Sequence, residues 1–158
     1  MVRTLLCILA NPPVGDGART RARVALAGEL LGYDAITIGN LFAIPSPSVT
    51  DIAILGTGAD GWLTARVELQ AQLKACAGVL LAYGVAAPTG PARHYYKEQL
   101  EWLDDALSGS PLPRYQVGDM PRHPSRWQRW TARQHPQLEF RDALRNSFAL
   151  LQKGQHHD

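Results

Sequence analysis

The stretch Thr4-Leu5-Leu6-Cys7-Ile8-Leu9-Ala10, followed at once by Asn11-Pro12-Pro13-Val14-Gly15-Asp16-Gly17, decides the fold class. Its apolar residues fill consecutive positions instead of alternating. A strand of that kind has both faces covered, as in a parallel sheet with helices on either side. The two prolines then end the strand in a rigid turn, and the glycines let backbone come close to a ligand. The first apolar run is short, and it ends at Asn11-Pro12-Pro13 with no small-x-small cleavage site. It therefore reads as a buried strand and not as a secretory leader.

Three more apolar runs read as strands: Ala35–Gly39, Gly78–Tyr83 and, shortest, Tyr115–Val117. Helical spacing lies between them. Thr20–Leu31 places Val24, Leu26, Ala27, Leu30 and Leu31 on one stripe, and Gly32 stops it. Thr64–Ala77, Ala92–Leu107 and Gln137–Gln152 carry similar stripes. The loops are Pro45–Ser48, Gly56–Gly61 and Ser108–Pro113. Alternation of strand and helix predicts a three-layer α/β sandwich around a four-stranded, mainly parallel, doubly wound sheet. Residues 1–152 are expected to form one domain, with 153–158 as a disordered tail that includes His156 and His157.

Composition agrees with a globular domain: 158 residues, 46% hydrophobic and 19% charged. Disordered chains have fewer apolar residues and more net charge. The net charge of +2 permits nucleic-acid binding without demanding it. No apolar run approaches the ~20 residues of a membrane span, so no membrane partner is expected and a cytoplasmic setting is. Cys7 and Cys76 are too few to staple a fold and read as reduced, packed thiols. No cofactor is expected, and no Cys or His spacing suggests a metal site.

In doubly wound sheets, ligands sit beyond the carboxyl ends of the strands. Asn11 stands there after the first strand, and Asn40-Leu41-Phe42-Ala43 after the second. A carboxamide both donates and accepts, which suits the edge of a base, and Phe42 offers a stacking surface. After the fourth strand comes Gly118–Thr131, with Arg122, Arg126 and Arg129 interleaved with His123, Trp127 and Trp130. Read as a loop broken by proline, it exposes two tryptophans among phosphate-binding arginines. From Arg114 to Arg145 there are seven arginines against Asp119, Glu139 and Asp142, an excess of four. Thr20, Arg21 and Arg23 open the first helix, where backbone N–H groups favour anions. His94-Tyr95-Tyr96 read as packing residues. Ser125 lies too near His123 in sequence for a Ser-His-Asp triad to be argued from spacing.

These segments resemble, in order, the motifs of the uracil-DNA glycosylase superfamily. Asn11-Pro12 is similar to the Asn-Pro of its mismatch-specific and single-strand-selective branches, Asn40 to its base-reading Asn, and His123-Pro124-Ser125 to its His-Pro-Ser. More closely, Asn11-Pro12, Thr20-x-x-Arg23, Gly32-Tyr33, Asn40–Ala43 and Pro121–Pro124 resemble a bacterial and phage family of unknown function over roughly residues 4 to 130. The resemblance implies a glycosylase-like fold that hydrolyses the N-glycosidic bond of a base, normal or modified, in DNA. It implies that Asn11 positions water and His123 hydrogen-bonds the departing base. Asn40, Phe42, Pro12 and Ser125 would then hold the base, and Arg122, Arg126, Trp127, Arg129, Trp130 and Arg23 would contact DNA. Trp127 stands where the superfamily places the wedge that fills a vacated base stack. Two further readings use the same crevice. One is a module that binds a base or nucleic acid without cleaving it, and the other a protein acting on free nucleotides.

Overall fold

The computed structural model describes residues 1–46 and 48–151. Pro47, Gln152 and the expected tail at 153–158 lie outside the described residues. Five strands form one sheet in the order β2-β1-β3-β4-β5. They are β1 (Thr4–Leu9), β2 (Ala35–Asn40), β3 (Gly78–Leu81), β4 (Arg114–Val117) and β5 (Phe148–Leu151). The first four are parallel, and β5 runs antiparallel to β4. The helices are α1 (Ala18–Leu30), α2 (Val49–Leu55), α3 (Asp60–Ala75), α4 (Pro91–Ser108), α5 (Pro124–Gln134) and α6 (Phe140–Arg145).

The consecutive apolar residues of β1 serve two cores. Leu6, Ile8 and Ala10 pack with Ile52 of α2, Trp62 and Leu69 of α3 and Tyr96 of α4. Leu5, Cys7 and Leu9 pack with Val24 and Ala27 of α1, Trp127 of α5 and Leu144 of α6. Helices thus cover both faces, which is the three-layer α/β arrangement that continuous hydrophobicity predicts.

Three expectations need correction. The sheet has five strands, not four, because the expected helix Gln137–Gln152 is only α6 followed by β5. Leu144, Phe148 and Leu151 fit a helical period, but β4 would otherwise leave its outer ladder of N–H and C=O groups unpaired. The turn is fastened by the Ser147 hydroxyl, which donates to the Ala143 carbonyl at 2.6 Å, and by the Gly118 N–H, which donates to the Ser147 carbonyl at 2.8 Å. Second, α2 has no counterpart in the sequence reading. Third, Pro124 does not break a loop but opens α5, since a proline at the first helical position lacks only an N–H that would be orphaned anyway.

Gln99 of α4 ties the segment after β2 into the core. Its Nε2 donates to the Leu41 carbonyl at 2.7 Å and to the Trp62 carbonyl at 2.9 Å. Its Oε1 accepts from Arg66 Nε at 2.6 Å. Gln99→Leu strands both carbonyls and is expected to cost about 1–3 kcal/mol of stability, read by urea denaturation. An unchanged midpoint would show that water replaces the amide.

Candidate functional site

From β1 the chain passes through α1 on one face of the sheet to β2, then returns through α2 and α3 on the other face to β3, on the far side of β1. The switch in strand order therefore lies between β1 and β3, where doubly wound folds open a crevice. A cleft of about 640 Å³ opens at that point, within the range of small-ligand sites. It is lined by the segments that follow β1, β3 and β4, by Ser48 and Val49 at the start of α2, and by one face of α5.

Asn11 and His123, far apart in sequence, both line this cleft. Asn11 Nδ2 donates to the backbone carbonyl of Ser46 and to the Ser46 hydroxyl, the latter at 2.8 Å. That leaves the side-chain oxygen Oδ1 of Asn11 as an acceptor. The Ser46 N–H donates to the Pro12 carbonyl at 3.1 Å, so the segments after β1 and β2 are tied together.

His123 is the N-cap of α5. Its Nδ1 accepts from the Ser125 backbone N–H at 3.1 Å and lies 2.9 Å from Ser125 Oγ. A ring that accepts at Nδ1 carries its proton on Nε2, so neutral His123 is a donor through Nε2. Burial, then the charges of Arg126 and Arg23, pushes its pKa below the ordinary histidine value of 6.5. The unfolded chain therefore binds the proton more readily than the folded one. The stability tied to this group is present above pH 6.5 and is lost as pH falls through the lowered native value. His123→Asn keeps a capping acceptor and removes the titration. Its urea midpoint should decline less between pH 7.5 and 5 than that of the wild-type chain. A parallel decline in both would assign the acid sensitivity elsewhere.

The first turns of α5 explain its two faces. Pro124, Trp127 and Thr131 are buried against the sheet, at spacings of three and four. Arg126, Arg129, Trp130 and Arg133 fall on the opposite face and line the cleft. Comparisons with protein-family models, curated proteins and solved structures found no match.

The remaining expected site residues divide sharply. Trp127 is not exposed: its side chain is 0% accessible, and Nε1 donates to the Arg122 carbonyl at 2.9 Å. Phe42 is also 0% accessible, 4.7 Å centroid to centroid from Trp62, so it is a core ring and not a surface platform. Asn40 ends β2 opposite Leu9 in register but does not line the cleft. Its Oδ1 is buried with no hydrogen-bond partner among the described residues. Arg23 is committed to structure: it donates to the Pro124 carbonyl at 2.7 Å and to Gln128 Oε1 at 3.1 Å, which pins α1 to the start of α5. Arg122 pairs with Asp119 at 2.7 Å and lies 4.5 Å over the Trp130 ring. Gly118, at φ +74°, lets that ring come close, since a Cβ there would stand 2.5 Å from it.

Two contributors escaped the sequence reading. Tyr83 follows β3 at the switch point and lines the cleft. Burial, then Asp104, raises its phenol above the usual range, so it is a neutral donor and a flat apolar surface. The rule of the carboxyl end applied to Gly78–Tyr83 points straight at it. Gly84 next to it adopts φ +90° and donates its N–H to the Pro121 carbonyl at 2.7 Å, joining the segments after β3 and β4. Arg133 is in helical phase with Arg126 and Arg129, a signal visible once α5 is read as a helix.

Among the described residues lining the cleft, four are arginine and none is acidic. Arg126, Arg129 and Arg133 form no ion pair among the described residues, whereas Arg122 does. The site is therefore electropositive and partly closed, with a neutral histidine donor and a carboxamide acceptor among its lining residues. No group of three or more His, Cys, Asp or Glu side chains that could hold a metal ion is found among the described residues. No helix there is long and apolar enough to cross a membrane.

Proposed function

We propose that this protein is a DNA glycosylase-like hydrolase that takes a nucleobase on a phosphorylated sugar into the cleft and cleaves the N-glycosidic bond. The observation that carries the reading is the convergence of Asn11 and His123 on one cleft whose free charges are all positive. The fold we infer is uracil-DNA glycosylase-like, supported by the parallel β1–β4 core and by the placing of the Asn-Pro and His-Pro-Ser segments at the same end of it.

In this reaction the bond between the sugar anomeric carbon and the base nitrogen breaks, and its electron pair leaves with the base. A water oxygen bonds to the carbon, and the water's proton passes to solvent or to the base. Asn11 Oδ1 accepts a hydrogen bond from that water and holds it on the sugar's open face. It does not act as a strong base, since a carboxamide has no proton affinity to spare near neutral pH. His123 donates through Nε2–H to the base as negative charge develops. A neutral ring donates this hydrogen bond without surrendering its proton, and its lowered pKa keeps it in that form. Tyr83 supplies the flat contact that Phe42 does not. The arginines of α5 bind phosphate and draw anionic substrate in.

Oligonucleotides carrying uracil and other altered bases, treated with the protein and then with hot alkali, should break at the abasic site. Asn11→Ala should abolish the breakage while leaving binding intact. No breakage across a broad panel would reject the hydrolase.

One observation favours a second reading. The cleft has no acidic side chain among its described lining residues, so nothing there activates water strongly. A module that binds a base without cleaving it would show tight binding by the same panel and no product.

A further inference from the structure

We propose that the outer face of α5 is a track for the phosphate backbone of an unpaired nucleic-acid strand, running on beyond the single nucleotide that the cleft encloses. This rests on the reading of the cleft as a base site, and it names the form in which the base arrives.

Arg126, Arg129 and Arg133 occupy positions i, i+3 and i+7 of one helix, all on the cleft side. A rise of 1.5 Å per residue spreads them over about 10 Å. A stacked strand carries one phosphate per 3.4 Å, so the row spans roughly three phosphates. One nucleotide monophosphate would leave most of it unused. The row is also uncompensated. Arg122, one turn before it, is neutralised by Asp119 and covers Trp130, while the three outer guanidiniums have no acidic partner among the described residues. Keeping three like charges in line on one helix is unfavourable without an anion to share.

The chemistry favours an unpaired strand over a duplex. Extruding a base from a duplex costs a few kcal/mol, commonly offset by an apolar wedge that fills the gap. Trp127, the expected wedge, lies in the core. Val85 is exposed at the cleft, at 58%, but it is smaller than the Phe, Leu, Ile and Met side chains that serve as wedges. An unpaired strand offers its bases with no such cost and needs only charge and a stacking surface. Tyr83, which lines the cleft, provides that surface.

The test measures affinity by fluorescence anisotropy and needs no turnover. The probes are an eight-nucleotide labelled DNA strand, the same strand annealed to its complement, a deoxynucleoside monophosphate and inorganic triphosphate, the last two as competitors. The single strand should bind at least tenfold more tightly than either the duplex or the monophosphate. Its log K should fall with log salt with a slope of about −2, as expected for three phosphate contacts on single strands. Arg133→Gln and Arg129→Gln replace exposed side chains and should fold normally by circular dichroism. Each should weaken strand binding and make the slope shallower by about 0.7. The proposal is overturned by triphosphate or monophosphate competing as well as the strand, by a duplex that binds equally well, or by a slope that Arg133→Gln leaves unaltered. Strand binding without base release would remove the hydrolase and keep the track. Base release from a monophosphate without strand affinity would do the reverse.

Discussion

Trp127→Ala will destabilise the fold by about 3–5 kcal/mol, the usual cost of emptying a fully buried large aromatic site. The indole is enclosed between the sheet and α5, in the cluster that holds Leu5, Cys7, Val24 and Leu144. Truncation opens a cavity there and also strands the Arg122 carbonyl that Nε1 now satisfies. Because Arg122 and His123 sit where α5 begins, the loss reaches the cleft as well as the core. The measurement is urea unfolding at neutral pH, with near-ultraviolet circular dichroism to follow the tryptophan environment. A wedge residue would behave in the opposite way, with full stability and weakened binding to duplex. An unchanged urea midpoint would therefore return Trp127 to the surface and undo the account of α5 given above.

His123→Ala will lower the rate of base release by roughly 10²–10³-fold, the size of effect seen when one hydrogen-bond donor to a developing anion is removed. The substrate is the single-stranded oligonucleotide, followed in single turnovers so that product release does not mask chemistry. Affinity for the strand should change little if, as proposed, the arginines and not the imidazole carry the phosphate contacts. His123→Asn restores the α5 cap but not a donor at the Nε2 position, so it should recover stability without recovering rate. Full activity in both variants would place the leaving-group contact on another donor that lines the cleft, such as Tyr83 or Ser125.

The fold class was legible because β1 is apolar at every position from Leu5 to Leu9, as a strand in a sheet covered on both faces is. The C-terminal element was not legible. Leu144, Phe148 and Leu151 fit a helical period, and the strand is chosen by the open edge of β4, which no local pattern announces. The candidate site was legible in part. Asn11 stands where polarity abruptly ends the apolar run of β1, His123 lies six residues beyond β4 at the start of α5, and both line the cleft. The aromatic half misled, because composition does not reveal which face of a helix an indole occupies. Once Pro124 is taken as the first residue of α5, the spacing of Trp127 with Thr131 assigns it inward and that of Arg126, Arg129 and Arg133 assigns them outward. Asn40 shows the limit of the carboxyl-end rule, since a residue can end a strand and still not line the cleft.

The cleft is built from segments that hold one another: Ser46 bonded to Pro12 and Asn11, and Gly84 to Pro121. Such cross-braced walls settle into shape as the chain folds, so an arriving guest freezes few additional motions. Encounter should then resemble key entering lock, with backbone shifts below about 1 Å. Selectivity among bases would be exercised by rejecting shapes that do not fit, and not by a lid that closes on the correct one. Amide hydrogen exchange in these segments should accordingly be slow even when the crevice is vacant, and should change little on saturation.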